Sequence, residues 1–402
     1  MKTQHASPFD ALRPVRSLIA ADLASLRGAG FSRIDSHAWG AGTPIGPGGI
    51  GADSIELVGL AASVADAFGL REIGAEDALL RDRTLGGWAQ IVQHAATSDP
   101  TPPLEFRTSG TTGSAKAVRH EPADLWAEAR VFARRASDRS RVIAALPSHH
   151  IYGFIHTVFM PAAAGLPAVD AEFALPSSLL RRLEPGDLIV ATPMVWQRLA
   201  DARASLPANI HGVTSGAPMP TDLWRTLQGR GLDQLTEVYG STETAGIALR
   251  TAPDAPFGLL DRWTKTGEGI IADAAREHDL PDNIGWIDDR RFSVRGRRDG
   301  MIQIGGVNVD PRAVATTIES HPSIDRCVVR PTGTDARARL KALVVPPPGI
   351  DEATLRSDLH AWCAAHLPAP QRPVSFTPAR EIPVGPTGKP CDWDETGRPL
   401  AA

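Results

Sequence analysis

A chain of 402 residues is long enough for two or three domains, each with its own core. Its 42 basic and 46 acidic residues leave a formal charge of −4 with no long block of either sign, so nucleic acid is not an expected partner. No run of about 18 apolar residues occurs, so no membrane span is expected, and three cysteines far apart, Cys327, Cys363 and Cys391, give neither a zinc spacing nor a disulfide framework.

The start, Met1-Lys2-Thr3-Gln4-His5, leads into charged, proline-broken sequence with no apolar leader, and a soluble cytoplasmic protein with packed, reduced thiols is the expectation. At Asp53 an N-cap precedes Leu57, Leu60, Ala61 and Val64, which share one helical face. The short strand candidate Leu104 to Arg107 then runs into Thr108-Ser109-Gly110-Thr111-Thr112-Gly113-Ser114-Ala115-Lys116. Glycines let a backbone bring its N–H groups close to phosphate oxygens, hydroxyls add donors, and lysine neutralises charge, so this stretch reads as a phosphate cradle. It is not a Walker loop, because Ala115 and Ala117 stand where glycine and a hydroxyl residue would flank the lysine.

Beyond the cradle, helix-like segments such as Leu125 to Arg135 and Thr221 to Leu227 alternate with apolar runs that stop at glycine, proline or a hydroxyl residue. These runs are Val142 to Leu146, Leu188 to Ala191, Val213 before Ser215-Gly216, and Leu235 to Val238 before Tyr239-Gly240. The pattern predicts an α/β fold with much parallel pairing, in which ligands gather at the carboxyl ends of strands. All five runs, counting Leu104 to Arg107, are expected to deliver their loops to one cleft.

A second region begins near Gly296, with strand candidates Met301 to Ile304, Cys327 to Arg330 and Leu340 to Val345. Asp351 is a predicted N-cap for a helix placing Leu355, Leu359, Trp362 and Cys363 on one face. A compact α+β domain of about 100 residues is the expectation, closing on Gly388-Lys389 in a loop.

Taken in order, the cradle, Leu146-Pro147-Ser148-His149-His150-Ile151-Tyr152-Gly153, Ser215-Gly216-Ala217-Pro218, Tyr239-Gly240-Ser241-Thr242-Glu243, Gly296-Arg297-Arg298-Asp299 and Gly388-Lys389 resemble the motifs of the adenylate-forming enzymes. The likeness covers roughly Leu104 to Trp393. It implies the adenylate-forming α/β fold, with a shortened N-terminal core (1–100, reduced or similar to a carrier protein), an adenylation core (101–298) and a small mobile α+β lid domain (299–402). It also implies a two-step reaction: a carboxylate attacks the α-phosphate of ATP with Mg2+, and a pantetheine thiol, of CoA or of a carrier protein, then displaces AMP.

By the same resemblance Thr108, Ser109, Gly110, Thr111, Thr112, Gly113 and Lys116 would hold the β- and γ-phosphates, and Thr242 would touch the α-phosphate. Glu243 would coordinate Mg2+. Ser215, Gly216, Ala217, Tyr239 and Gly240 would border the nucleotide, with the Tyr239 ring near adenine. Asp282 would take the ribose hydroxyls and Arg297 the ribose or phosphates. Lys389 would bridge carboxylate and phosphate, and His150 would line the acyl pocket. Rotation about Asp299 would withdraw Lys389 and present Gly305 and Gly306 to the thiol. Gln303 and Gly385 depart from the family pattern, which commonly has a basic residue and a hydroxyl residue there.

Other readings of the same residues stay open. Glu243 is also what a helix N-terminus favours. His149 and His150 invite a metal-pair reading, yet adjacent side chains are expected to diverge and no third ligand is spaced nearby, so one pocket histidine and one structural histidine are expected. Trp196 belongs either to the pocket or to the core. Gly51-Ala52-Asp53-Ser54-Ile55-Glu56-Leu57-Val58 resembles the central part of acyl carrier proteins, where the serine carries phosphopantetheine; the alternative is a plain capped helix. The short chain resembles the small ligases of aryl-polyene and xanthomonadin pigment pathways. That implies a hydroxybenzoate-type acid as substrate and an acyl carrier protein as partner, with an acyl-CoA synthetase for fatty or other aryl acids as the alternative. A non-catalytic nucleotide- or carrier-binding relative is the reading from another class.

Overall fold

The structure is a computed structural model. It describes residues 9–28, 34, 36–107, 116–172, 174–298, 300–305, 307–333, 338–383, 392–394 and 396–398, without the side chains of 297 and 353. Residues Thr108 to Gly113, Asp299, Gly306, Gly385, Gly388, Lys389 and Cys391 therefore lie outside the described residues. Two compact units divide at Asp261 and Arg262.

The first unit opens with helices Leu12–Leu26, Ser54–Ala67, Glu76–Arg81 and Leu85–Ala95, with a 3-10 turn at Leu70–Ile73. Asp53 caps the second of these, accepting from the Ile55 and Glu56 amides while Glu56 accepts from the Asp53 amide, a reciprocal capping box. The face predicted to pack inward does so: Leu57, Leu60, Ala61 and Val64 are buried. Trp88 is fully buried and donates its Nε1–H to the Leu79 carbonyl at 2.8 Å, which satisfies its polar atom.

Four of the five apolar runs form the parallel centre of a sheet. From one edge of this unit to the other its strands are Phe257–Leu259, Ala245–Arg250, Leu232–Ser241, Ile210–Thr214, Asp187–Ala191, Arg141–Ala144 and Ala168–Asp170. The last five pair in parallel and the first three antiparallel. Every residue of Asp187–Ala191 is buried, as a strand covered on both faces requires; Asp187 meets this condition by accepting two bonds from Arg141, at 2.6 and 3.1 Å.

The fifth run behaves differently. Leu104–Arg107 pairs antiparallel with Ala117–His120, Arg107 opposite Ala117, in a separate two-stranded sheet. The expectation that it would join the parallel sheet is corrected: each strand is four residues long, only half of Leu104–Arg107 is buried, and the nine residues between the strands are too few for the dozen or so that a crossover takes. The cradle sequence stands between its two strands.

The second unit carries a three-stranded antiparallel sheet, Thr264–Gly267, Ile270–Ala272 and Glu277–Asp279, and the hairpin Asp282–Trp286 with Arg291–Arg297. The hairpin Ile302–Ile304 with Val307–Val309, helices Pro311–Glu319 and Glu352–His366, and the sheet Arg326–Thr332, Arg339–Val345, Pro373–Pro378 complete it. Asp351 caps the second helix through the Thr354 amide at 2.9 Å, and Leu355, Leu359 and Cys363 enter one core with Val309, Ile318, Val344 and Phe376. Burial raises the thiol pKa of both Cys327 and Cys363, the latter to about 11, and both are free thiols. Trp393 and Ile382 pack together with Leu343, and Lys341 holds the Trp393 carbonyl at 2.9 Å and Asp392 at 2.7 Å. These anchors bracket the segment that contains Lys389.

Candidate active site

The parallel strands of the first unit end on a common row. Ala144 pairs with Val190, Ala191 with Thr214, and Thr214 with Glu237. Strands in a sheet lie about 4.8 Å apart. The segments Ala145 to His150 and Ser215 to Ala217 therefore leave the same edge, and Leu232–Ser241 runs on past it to the turn Thr242 to Thr244, over a width of about 15 Å, which suits a single small ligand.

Buried bonds fix each segment. Ser215, buried, donates its hydroxyl to the Val238 carbonyl at 2.8 Å, so what that loop offers a ligand is its backbone, opened by Gly216 at φ +87°. Tyr152 ties the helix that follows His150 to the Ala191 carbonyl at 3.2 Å, and burial raises its phenol pKa well above the ordinary value. Glu237 accepts from the Met219 amide at 2.8 Å and from Arg250 at 2.7 Å; burial raises its carboxyl pKa, and the Arg250 charge opposes the rise.

Thr242, Glu243 and Thr244 form the turn of a β-hairpin, between strands Leu232–Ser241 and Ala245–Arg250. No helix starts here, so the helix-terminus reading of Glu243 is set aside. Three contacts hold the turn: the Thr244 hydroxyl accepts from the Ser241 amide at 3.2 Å, the His120 ring lies 2.7 Å from the Thr242 carbonyl, and both oxygens of buried Glu128 accept from the Gly246 amide at 3.0 to 3.1 Å. Ala245 adopts φ +57°, a left-handed conformation that a non-glycine residue takes only where its surroundings impose it. Glu243 is exposed at the tip. Lys116 is exposed beside the strand that carries His120, and the His120 contact links this hairpin to the Thr242 turn.

The two histidines do not diverge. Their ring centroids are 4.2 Å apart at 45°, in contact, because His149 sits in the turn before the helix and His150 is its N-cap. His149 bonds Ser17 at 2.8 Å, and His150 is the more exposed ring. Burial lowers both imidazole pKa values, that of His149 well below the ordinary range with His150 and Arg107 adding to the effect. Among the described residues no cluster of three metal-ligating side chains occurs. The helix then takes a π-turn at Ile155–Phe159, a one-residue excess that often accompanies ligand sites. Trp196 is fully buried under Gly212 and belongs to the core. Tyr239 is half-buried, with Phe257 5.7 Å away.

In the second unit Asp282 stands directly opposite Arg297 in the hairpin register. Gly305, φ +58°, lies in the turn after Gln303. Missed from the sequence were the turn supports Glu128 and His120 and the contact of Ser17 with His149. Each lies far along the chain from its partner, and no local motif marks it.

The exposed ammonium of Lys116, the exposed carboxylate of Glu243 and the half-buried Thr242 hydroxyl are the kinds of group that suit a magnesium-bound polyphosphate. A family model described as AMP-binding enzyme matches residues 105–282. A 4-coumarate–CoA ligase of Halorhodospira halophila is 39% identical over 386 residues, 94% of this chain and 98% of its own length. A 3,4-dihydroxybenzoate–[aryl-carrier protein] ligase of Bacillus anthracis is 24% identical over 308 residues, 72% of each chain. Among solved structures, the amide bond synthetase McbA of Marinactinospora thermotolerans aligns over 94% of this chain and 92% of its own at a TM-score of 0.58 and 18% identity, a likeness of fold.

Proposed function

Because the chain belongs to the AMP-binding family of adenylate-forming enzymes and is an AMP-forming acid–thiol ligase, we propose that it joins a small hydroxylated aromatic acid, of the 4-coumarate type, to CoA. The observation that carries this reading is the 39% identity to a 4-coumarate–CoA ligase over nearly the full length of both chains. The first expectation, a hydroxybenzoate-type acid loaded onto an acyl carrier protein, is supported by the weaker 24% likeness and takes second place. Fatty acids follow.

In the first step a carboxylate oxygen attacks the α-phosphorus of ATP and pyrophosphate leaves. Two anions must approach each other, so the barrier falls when fixed cations and donors face the charge as it moves. We assign that work to Lys389, Lys116, the cradle hydroxyls and Thr242, with Asp282 and Arg297 on the ribose and Tyr239 beside the base. Mg2+, held by Glu243, would neutralise phosphate charge and orient the leaving group. In the second step the thiol gives its proton to water, its sulfur attacks the acyl carbon, and AMP leaves with the pair of the broken acyl C–O bond. Rotation of residues 299–402 about Asp299 would exchange Lys389 for the turn at Gly305 and Gly306 between the two steps.

The test is thioester formation with Mg-ATP, a panel of cinnamates, benzoates and fatty acids, and either CoA or a phosphopantetheinylated carrier protein. A CoA thioester of a hydroxycinnamate is expected. Thioester formed only on the carrier protein would return the carrier reading to first place. Silence across acids and acceptors would favour a non-catalytic binding protein.

For the N-terminal segment a second reading has support. Ser54 is exposed as the first residue of its helix, next to Ile55, 84% exposed, and one turn before Val58, 56% exposed. Such apolar exposure suits a recognised carrier helix, although the capping box and the inward face also account for the helix unmodified. A mass gain after incubation with CoA and a phosphopantetheinyl transferase, lost in Ser54→Ala, supports the carrier reading; no gain, or a gain kept in that variant, removes it.

A further inference from the structure

Three distant parts of the first unit meet at Ser17. The helix Leu12–Leu26 brings this serine, 4% exposed, between two side chains: its Oγ lies 2.8 Å from His149 Nδ1 and 2.9 Å from Glu172 Oε2. Glu172 follows the edge strand Ala168–Asp170, and its amide donates to Asp170 Oδ1 at 3.1 Å. Arg16, one residue before Ser17, pairs with Asp170, and Arg13 donates to the Thr157 carbonyl at 2.6 Å. His37 contacts the Glu172 carbonyl. The charged and titratable groups around the Glu172 carboxyl are thus Asp170, Arg16, Arg13, His37 and His149.

A serine hydroxyl has one proton to give. When Glu172 is ionised, that proton goes to the carboxylate, and Ser17 can only accept from His149 Nδ1–H. His149 is neutral, since burial lowers its pKa well below the ordinary value, and a neutral imidazole carries one N–H. Its Nε2 is then an acceptor. When Glu172 is protonated the chain can reverse: the carboxyl O–H donates to Ser17, Ser17 donates to Nδ1, and the ring proton resides on Nε2.

We propose that Ser17 and Glu172 are positioning residues that set the tautomer and ring orientation of His149 and, through its ring contact with His150, the wall of the acid site. The N-terminal helix is thereby part of the acid-recognition apparatus. This inference rests on the reading that His150 lines the acid pocket. Desolvation raises the Glu172 pKa to about 7, so the reversal is expected near neutral pH.

The test compares the full-length protein with Ser17→Ala, Ser17→Thr and Glu172→Gln, by steady-state kinetics and by 15N spectra of labelled histidine, His149→Gln identifying the His149 signals. Ser17→Ala is expected to raise KM for the acid about tenfold, the effect of one lost buried hydrogen bond, with KM for ATP within about twofold. It should also move the His149 ring shifts, and Ser17→Thr should restore both. In Glu172→Gln the acid kcat/KM should lose its inflection near neutral pH. An equal rise in both KM values, or His149 shifts unmoved by Ser17→Ala, overturns the inference. If the wild type does not turn over 4-coumarate, the substrate reading falls alone, and the His149 shifts still decide this one.

Discussion

Glu172 shows how a single buried group writes a pH dependence into stability. Its carboxyl is raised from the ordinary 4.5 to about 7, so between those values the unfolded chain has released a proton that the folded chain keeps. The stability it contributes is fully present below about pH 4.5 and is lost as pH rises through about 7. Glu172→Gln should flatten the profile of unfolding free energy over that window, measured by urea unfolding at a series of pH values; an unchanged slope contradicts the burial argument. Lys389 is the other residue on which much depends. If it couples carboxylate and phosphorus, Lys389→Ala should slow pyrophosphate release by about 10²-fold or more. Thioester formation from a preformed acyl adenylate should continue near the wild-type rate. Loss of both steps together would point to a general folding defect and away from the assigned role.

At the scale of elements, one glycine governs the segment from Pro147 to His150. A Cβ on Gly153 would lie 2.0 Å from the Pro147 carbonyl oxygen, so the helix that starts after His150 packs directly against the backbone that enters it. Gly153→Ala should lower stability by about 1–3 kcal/mol through overpacking and weaken acid binding more than ATP binding, read from a melting curve and the two KM values. Much at this scale was legible in the sequence. The run Leu188 to Ala191 and the N-cap Asp351 became the strand Asp187–Ala191 and the helix Glu352–His366, because apolar runs and capping chemistry are local signals. The placement of Leu104–Arg107 was not legible. A four-residue apolar run reads alike in a parallel sheet and in a hairpin, and only its antiparallel pairing with Ala117–His120 separates the two. The supports of the Thr242 turn were hidden for a related reason: Glu128 and Gly246 are 118 residues apart.

For the whole molecule, the two-step chemistry requires one site to serve two different reactions. If residues 299–402 exchange places about Asp299, Asp299→Pro, which restricts the backbone there, should slow at least one half-reaction by tenfold or more relative to the other. Equal, wild-type rates in both would remove the hinge. The stationary half of that scheme is the sheet, in which Arg141–Ala144, Asp187–Ala191 and Ile210–Thr214 end on one row that crosses Leu232–Ser241 at Glu237. That alignment restricts how related lineages can drift toward new acids. A residue inserted within one strand would push its loop outward by about 3.3 Å and turn every side chain beyond it to the opposite face, ruining the alignment with its neighbours. Insertions after the strand ends carry no such penalty, so changes in substrate preference should accumulate in the connecting segments while strand lengths stay constant.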